Sequence, residues 1–200
     1  MASKPYDPRD FYFRQAHKDG LRARSAYKIE EILDKNRLLS VGGKVLDLGA
    51  APGGWLQIMG RRVGPKGRVV GVDLVPIRPL PELPWVTTAV LDIRAEDFPE
   101  ALSRIERGPF SLVTSDMAPK TSGIKAQDEA RSLQLSDLAL TTAARLLPKG
   151  GGFVCKVFMG GGFQNYIKRC GEVFSTVKIL RPKASRERSF EHYVIGLDRR

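Results

Sequence analysis

Asp47–Trp55 reads DLGAAPGGW, three glycines and a proline in nine residues, between the apolar run Lys44–Leu48 and a segment with helical spacing. A glycine-rich turn from a strand into a helix lets the backbone approach a ligand closely and offers unpaired N–H groups at the helix start. The glycines fall at Gly49, Gly53 and Gly54, so the G-x-G-x-x-G spacing of a dinucleotide fold is absent. A phosphate loop would close on Gly-Lys-Ser/Thr, whereas Trp55 follows here. The turn opens on Asp47, a charge that repels phosphate and attracts a cationic amino group directly or through water. The plain alternative is a tight strand-to-helix turn with no ligand.

Apolar, β-rich runs recur outward from this turn, at Lys44–Leu48, Arg68–Leu74, Trp85–Leu91, Phe110–Thr114, Gly152–Phe158, Thr176–Leu180 and His192–Leu197. Between most of them lie helical patterns, at Ser25–Leu38, Trp55–Val63, Arg94–Arg107, Gln127–Leu147 and Phe163–Phe174. Such alternation predicts right-handed crossovers and an α/β fold of seven strands, a mostly parallel sheet with helices on both faces. The last two runs are too close for a crossover helix and predict a C-terminal antiparallel hairpin. Ligands of these sheets bind at the carboxyl ends of the strands, which is where DLGAAPGGW falls.

The second run ends on Asp73, twenty residues after Gly53 and near the spacing at which an acid meets ribose hydroxyls. The third ends on Asp92, which either accepts from an adenine amine or caps a helix beginning near Arg94. Strand-end acids in successive crossovers suit a nucleoside with an amino-acid end, and S-adenosylmethionine has that shape. Asp116 ends the fourth run and Lys156 lies in the fifth, so both project from the same sheet edge. A lysine inside an apolar strand needs a partner, and an ion pair with Asp116 serves either chemistry or structure alone. Cys155 reads as a small core residue. No His or Cys spacing suggests a metal site, and no metal is expected.

The chain has 200 residues, 42% hydrophobic, with 33 Lys and Arg against 22 Asp and Glu for a net charge of +11. That balance favours a polyanionic partner. There is no membrane-spanning run, and two cysteines are too few for a disulfide framework, so the chain reads as cytoplasmic. The segment DPRDFYFRQAHKDGLRARSAYK interleaves Arg9, Arg14, Lys18, Arg22, Arg24 and Lys28 with Phe11, Tyr12 and Phe13, and a second basic stretch covers Lys178–Arg188. Cations give phosphate affinity and aromatics stack on unpaired bases; alternatively the aromatics fasten the arm to the domain. The expected division is a basic, aromatic arm over 1–24 and a single catalytic domain over 25–200.

The ordered set RSAYKIEEI, DLGAAPGGW, VDLVP, SDMAPKTSG, CKVF and SRERSFEHYVIGL, spanning nearly the whole chain, resembles the FtsJ-like RNA 2′-O-methyltransferases. The resemblance implies a Rossmann-like, S-adenosylmethionine-dependent fold and a catalytic tetrad at Lys28, Asp116, Lys156 and Glu191. It also implies donor contacts at Gly53, Trp55, Asp73, Asp92 and Asp116, beside the turn residues Asp47, Gly49 and Gly54. The substrate it implies is a uridine ribose of 23S rRNA in the large ribosomal subunit, with S-adenosylhomocysteine as the second product and a monomeric enzyme. A tRNA ribose methyltransferase and a non-catalytic RNA-binding assembly factor are the alternatives. A 2′-hydroxyl is a weak nucleophile and needs in-line positioning and a base. Lys156 is the candidate base. Lys28 is expected beside it to depress its pKa and hold the developing alkoxide, Asp116 to orient it, and Glu191 to fix Lys28 or the ribose. Glu187 competes with Glu191 on sequence alone.

Overall fold

The computed structural model describes residues 10–186 and 189–200; Arg9, Glu187 and Arg188 lie outside the described residues. In chain order the elements are α1 (Phe11–Lys18), α2 (Ala26–Asn36), β1 (Lys44–Leu48), α3 (Gly54–Val63), β2 (Arg68–Asp73) and β3 (Val86–Val90). They continue as α4 (Phe98–Ile105), β4 (Leu112–Ser115), α5 (Lys125–Leu146), β5 (Gly152–Phe158), α6 (Phe163–Val173), β6 (Phe174–Leu180) and β7 (Glu191–Arg199). The seven strands lie in the order β3-β2-β1-β4-β5-β7-β6. Strands β1 to β5 pair in parallel, and β7 runs antiparallel to both β5 and β6, as the short β6–β7 connection requires.

Alternation along the strands builds two apolar layers. Val45, Val69, Val154 and Tyr193 face Ile29, Ile32, Leu56 and Met59 of α2 and α3 on one side. Leu46, Leu48, Val70, Val113 and Phe153 face Phe98, Leu102, Ala143, Phe163 and Tyr166 of α4 to α6 on the other. The chain winds from β1 outward to β3, returns to β4 and winds the other way, so the crevice between β1 and β4 is the topological switch point.

Three local features refine these expectations. Helix α1 lies in the segment read as a basic, aromatic arm: Asp10 Oδ1 accepts from Phe13 N–H at 3.1 Å as its N-cap, and Ala16 and Leu21 bury into the core. Helix α4 begins at Phe98, because Asp92 Oδ1 accepts from Arg94 N–H at 2.9 Å and turns the chain back first. Asp97, not Asp92, therefore occupies the cap position.

The third concerns the arginines. Arg22 donates its guanidinium to the carbonyls of Pro52, Arg78 and Pro79 at 3.3, 2.5 and 2.5 Å, and its N–H to Gln57 Oε1 at 2.8 Å. Arg24 bonds Asp10 and the Ala184 carbonyl. Both arginines clamp the N-terminal segment to the domain. Of the aromatics, Tyr12 packs against Tyr27 at 5.7 Å, whereas Phe11 and Phe13 are exposed.

Candidate active site

The DLGAAPGGW turn has two ends with different neighbours. At Gly49, with φ +74°, an added Cβ would lie 2.5 Å from Met117 Cγ, so the loop after β4 closes directly on the turn. At the far end, Gly53 has φ +105° and a Cβ there would meet Arg22 Nη1 at 3.0 Å, while one on Gly54 would meet Ala23 Cβ at 3.1 Å. Trp55 is buried, its indole N–H donating to the Ser25 carbonyl at 2.9 Å. The far end thus seats the chain entering α2. Gly53, Gly54 and Trp55 stand at the start of α3, outside the wall of the cavity that the near end borders.

That cavity, about 310 Å³, opens at the carboxyl ends of β1, β2 and β4 and includes Gly49, Ala51, Asp73, Asp92 and Asp116 in its wall. Val72, Leu74, Leu91, Ile93, Leu135 and Leu138 supply its apolar surface. Asp73 accepts from the N–H groups of Ala51 at 2.9 Å and Val75 at 3.2 Å, fixing the carboxylate while leaving acceptor capacity on each oxygen. Asp92 is held by Arg94, whose Nε and Nη2 donate to it at 2.9 and 2.7 Å. Those bonds pull its carboxyl down to about 2.

Asp47 lies deeper, beneath the turn. It is 1% exposed and absent from the cavity wall. Thr114 Oγ1 donates to its Oδ1 at 2.6 Å, and Oδ2 has no hydrogen-bond partner. Burial, with the charges of Asp116 and Asp73 behind it, pushes its carboxyl up to about 8. That shift favours the protonated carboxyl beneath the turn.

Along the same edge, β5, β7 and α2 bring two ion pairs together. Lys156 Nζ donates to the Asp116 carbonyl at 2.5 Å and lies 2.9 Å from Asp116 Oδ1. Lys28 Nζ bonds Glu191 Oε1. Both lysines are buried, and pairing is what makes that tolerable. Tyr193, opposite Lys156 in the β5–β7 register, links the pairs: its hydroxyl donates to Asp116 Oδ1 at 2.8 Å, and Lys28 Nζ lies 5.8 Å from its ring centroid. Burial, with Asp116 and Glu191 adding to it, pushes the Tyr193 hydroxyl well above the ordinary tyrosine range, so it is a fixed donor. Sequence reading missed Tyr193 because an aromatic in an alternating strand reads as core; its place two residues after Glu191 on one strand face was the available signal. Lys28 is thus held by Glu191 as Lys156 is by Asp116.

The buried Cys155 thiol is pushed up to about 11 by desolvation, in keeping with its reading as core. Among the described residues no group of three His, Cys, Asp or Glu is placed to hold a metal ion, and no helix is long and apolar enough to cross a membrane.

The sequence profile of the FtsJ-like methyltransferases matches residues 21–199. The chain is 54% identical over 197 residues to the ribosomal RNA large subunit methyltransferase E of Myxococcus xanthus, covering 98% of this chain and 92% of that protein. It is 56% identical over 194 residues to the like-named protein of Anaeromyxobacter dehalogenans, covering 97% and 72%. Among solved structures it is similar to a ribosomal RNA methyltransferase of Plasmodium falciparum, with TM-score 0.78 and 24% identity over 89% of this chain and 98% of that one. Fibrillarin of Aeropyrum pernix, crystallised with natively bound S-adenosyl-L-methionine, gives TM-score 0.63 and 18% identity over 86% and 76%.

Proposed function

The chain belongs to the FtsJ-like methyltransferase family, and we propose that it transfers a methyl group from S-adenosylmethionine to a ribose 2′-hydroxyl of RNA, a uridine of 23S rRNA in the large ribosomal subunit. The observation that carries this reading is that Asp116 belongs to both halves of the edge, lining the cavity and pairing with Lys156. The names of the relatives support the large-subunit substrate. In this reading residues 25–200 form the catalytic domain and 1–24 an arm whose α1 turns Phe11, Phe13, Arg14 and Lys18 outward toward RNA. The enzyme works as a monomer in the cytoplasm.

The cavity suits the donor: a fixed carboxylate at Asp73 for ribose hydroxyls, Asp92 as acceptor for an adenine amine, and apolar walls between them. Gly53, Gly54 and Trp55 contribute through the start of α3 and by holding α2, and Asp47 supports the turn from below. S-adenosylmethionine, when bound, supplies an electrophilic sulfonium methyl. Lys156, delivered to the reaction as the neutral amine, accepts the 2′-proton at Nζ as the oxygen takes the methyl. Asp116 and the Tyr193 hydroxyl hold Lys156 and its partner in place, Lys28 stabilises charge developing on the oxygen, and Glu191 fixes Lys28.

Labelled donor offered with unmethylated large subunits, free rRNA or tRNA tests the proposal. Label appearing in large-subunit rRNA, at a ribose that resists alkaline cleavage, is expected. Label on a base, or in tRNA alone, overturns it.

A further inference from the structure

Beside the catalytic edge lies a second cavity, of about 300 Å³, that neither ion pair nor the donor site uses. Glu129 and Leu133 of α5, Phe158 at the end of β5, the loop Gly160–Gly162 and Phe163 of α6 line it. Resting on the RNA methyltransferase reading above, we infer that this groove receives a nucleobase of the acceptor strand, from a nucleotide next to the one whose ribose is methylated.

Position is the first argument. Phe158 is two residues beyond Lys156 on β5, about 7 Å along a strand, and pairs across with Glu191 on β7. The groove therefore begins where the catalytic edge ends, within reach of a neighbouring nucleotide.

The wall is the second. A Cβ on Gly160 would fall 2.3 Å from Glu129 Oε2 and one on Gly162 would fall 2.3 Å from Leu133 Cδ2, so the loop is pressed against α5, yet Gly161 between them has nothing within 4 Å. The consecutive glycines leave a bare backbone surface; the Gly160 and Gly162 carbonyls accept from Phe163 and Tyr166 N–H, and the side-chain-free Gly161 between them suits the edge of an unpaired base. Glu129, paired only loosely with Lys125 at 3.7 Å, adds an acceptor for a base N–H.

The rim is the third. Phe190 is 56% exposed and lies next to Glu191, held there by the Met159 N–H donating to its carbonyl at 3.0 Å. Lys125 Nζ stands 4.6 Å from the Phe190 ring centroid. An exposed ring for stacking with a cation beside it for phosphate is the chemistry of single-stranded RNA contact, and the chain's charge of +11 points the same way.

Gly161→Leu fills the groove where the protein leaves space, Phe190→Ala removes the ring, and Phe190→Trp keeps a stacking face. The substrates are large subunits lacking the methyl group and the free rRNA extracted from them. Gly161→Leu and Phe190→Ala are expected to raise KM for free rRNA about tenfold, the scale of one lost base stack, with kcat within about twofold. Phe190→Trp should restore the wild-type KM, and calorimetric affinity for S-adenosylmethionine should be the same in all three. Unchanged KM in both disruptive variants overturns the inference. A defect with whole subunits but not with free rRNA also overturns it, assigning the groove to a ribosomal protein. Absence of transfer to rRNA by the wild-type enzyme overturns the functional reading itself, and this inference with it.

Discussion

On the β2 side of the sheet edge the carboxylate of Asp73 accepts from backbone amides, and on the β5 and β7 side those of Asp116 and Glu191 accept from ammonium groups. The first arrangement leaves an oriented acceptor facing an apolar bowl, suited to the neutral, hydroxyl-bearing nucleoside part of a ligand. The second buries positive charge against negative and adds a tyrosine donor, suited to an oxygen that gains charge as it reacts. On the proposed reading a binding half and a chemical half share one edge and meet at Asp116. If the division is right, substitutions in one half should change donor affinity and in the other turnover, with little crossing.

The largest effect is expected at Lys156. Lys156→Ala should lower kcat about 10²–10⁴-fold, the usual range for a positioned base, while donor affinity by calorimetry stays near wild type. Lys156→Arg should be nearly as impaired, because a guanidinium keeps its proton. An arginine variant with substantial turnover would make Lys156 an electrostatic clamp and leave the chemical half without a base.

Beneath the meeting point lies Asp47, and its effect falls on stability. Its folded pKa of about 8 exceeds the ordinary 3.8, so the folded chain keeps a proton that the unfolded chain loses, and stability should fall as pH rises from about 4 to about 8. Asp47→Asn mimics the protonated group and should remove that component. The difference in Tm between variant and wild type should grow in the variant's favour across this window, by several degrees at its upper end. A constant difference would place an ionised Asp47 inside the fold.

The alternation of strands and crossovers was legible because each strand buried on both faces is a short apolar run bounded by glycine, proline or charge, and the β6–β7 hairpin followed from loop length alone. Asp116 and Lys156 were legible because a charge inside an apolar segment and a strand-end acid stand out, whereas Lys28 and Glu191 were read only through the resemblance carried by the motif order. What was hidden depends on partners distant in sequence. Arg22 and Arg24 look like any basic arm until Pro52, Arg78, Pro79 and Ala184 present their carbonyls. Gly53 and Gly54 announce a close approach without saying that the Arg22 side chain and Ala23 make one. Helix α1 has only eight residues, too few to form on propensity, so its packing through Ala16 and its cap at Asp10 decide it.

Asp73→Ala sharpens the comparison from the binding half. Losing its hydrogen bonds to ribose hydroxyls should weaken donor binding by about 1–3 kcal/mol and leave kcat at saturating donor nearly unchanged. A variant that binds the donor normally would move the ribose site elsewhere along the edge.

The smallest effect is expected at Arg94, and it decides how the binding half is organised. Asp92 faces the cavity with both oxygens already engaged by Arg94, so an adenine amine must share that carboxylate or displace the guanidinium. The pair is solvent-exposed and such pairs hold weakly, so displacement is easy and Arg94→Gln should tighten donor binding, by no more than about fivefold at low salt, with the gain shrinking as salt rises. If the guanidinium instead orients Asp92 toward the amine, the same variant binds the donor more weakly at every salt concentration. Calorimetry at two ionic strengths separates the outcomes. The second would make Arg94 a positioning residue, placing a cation in the half of the edge that otherwise binds through carboxylate acceptors and apolar surface.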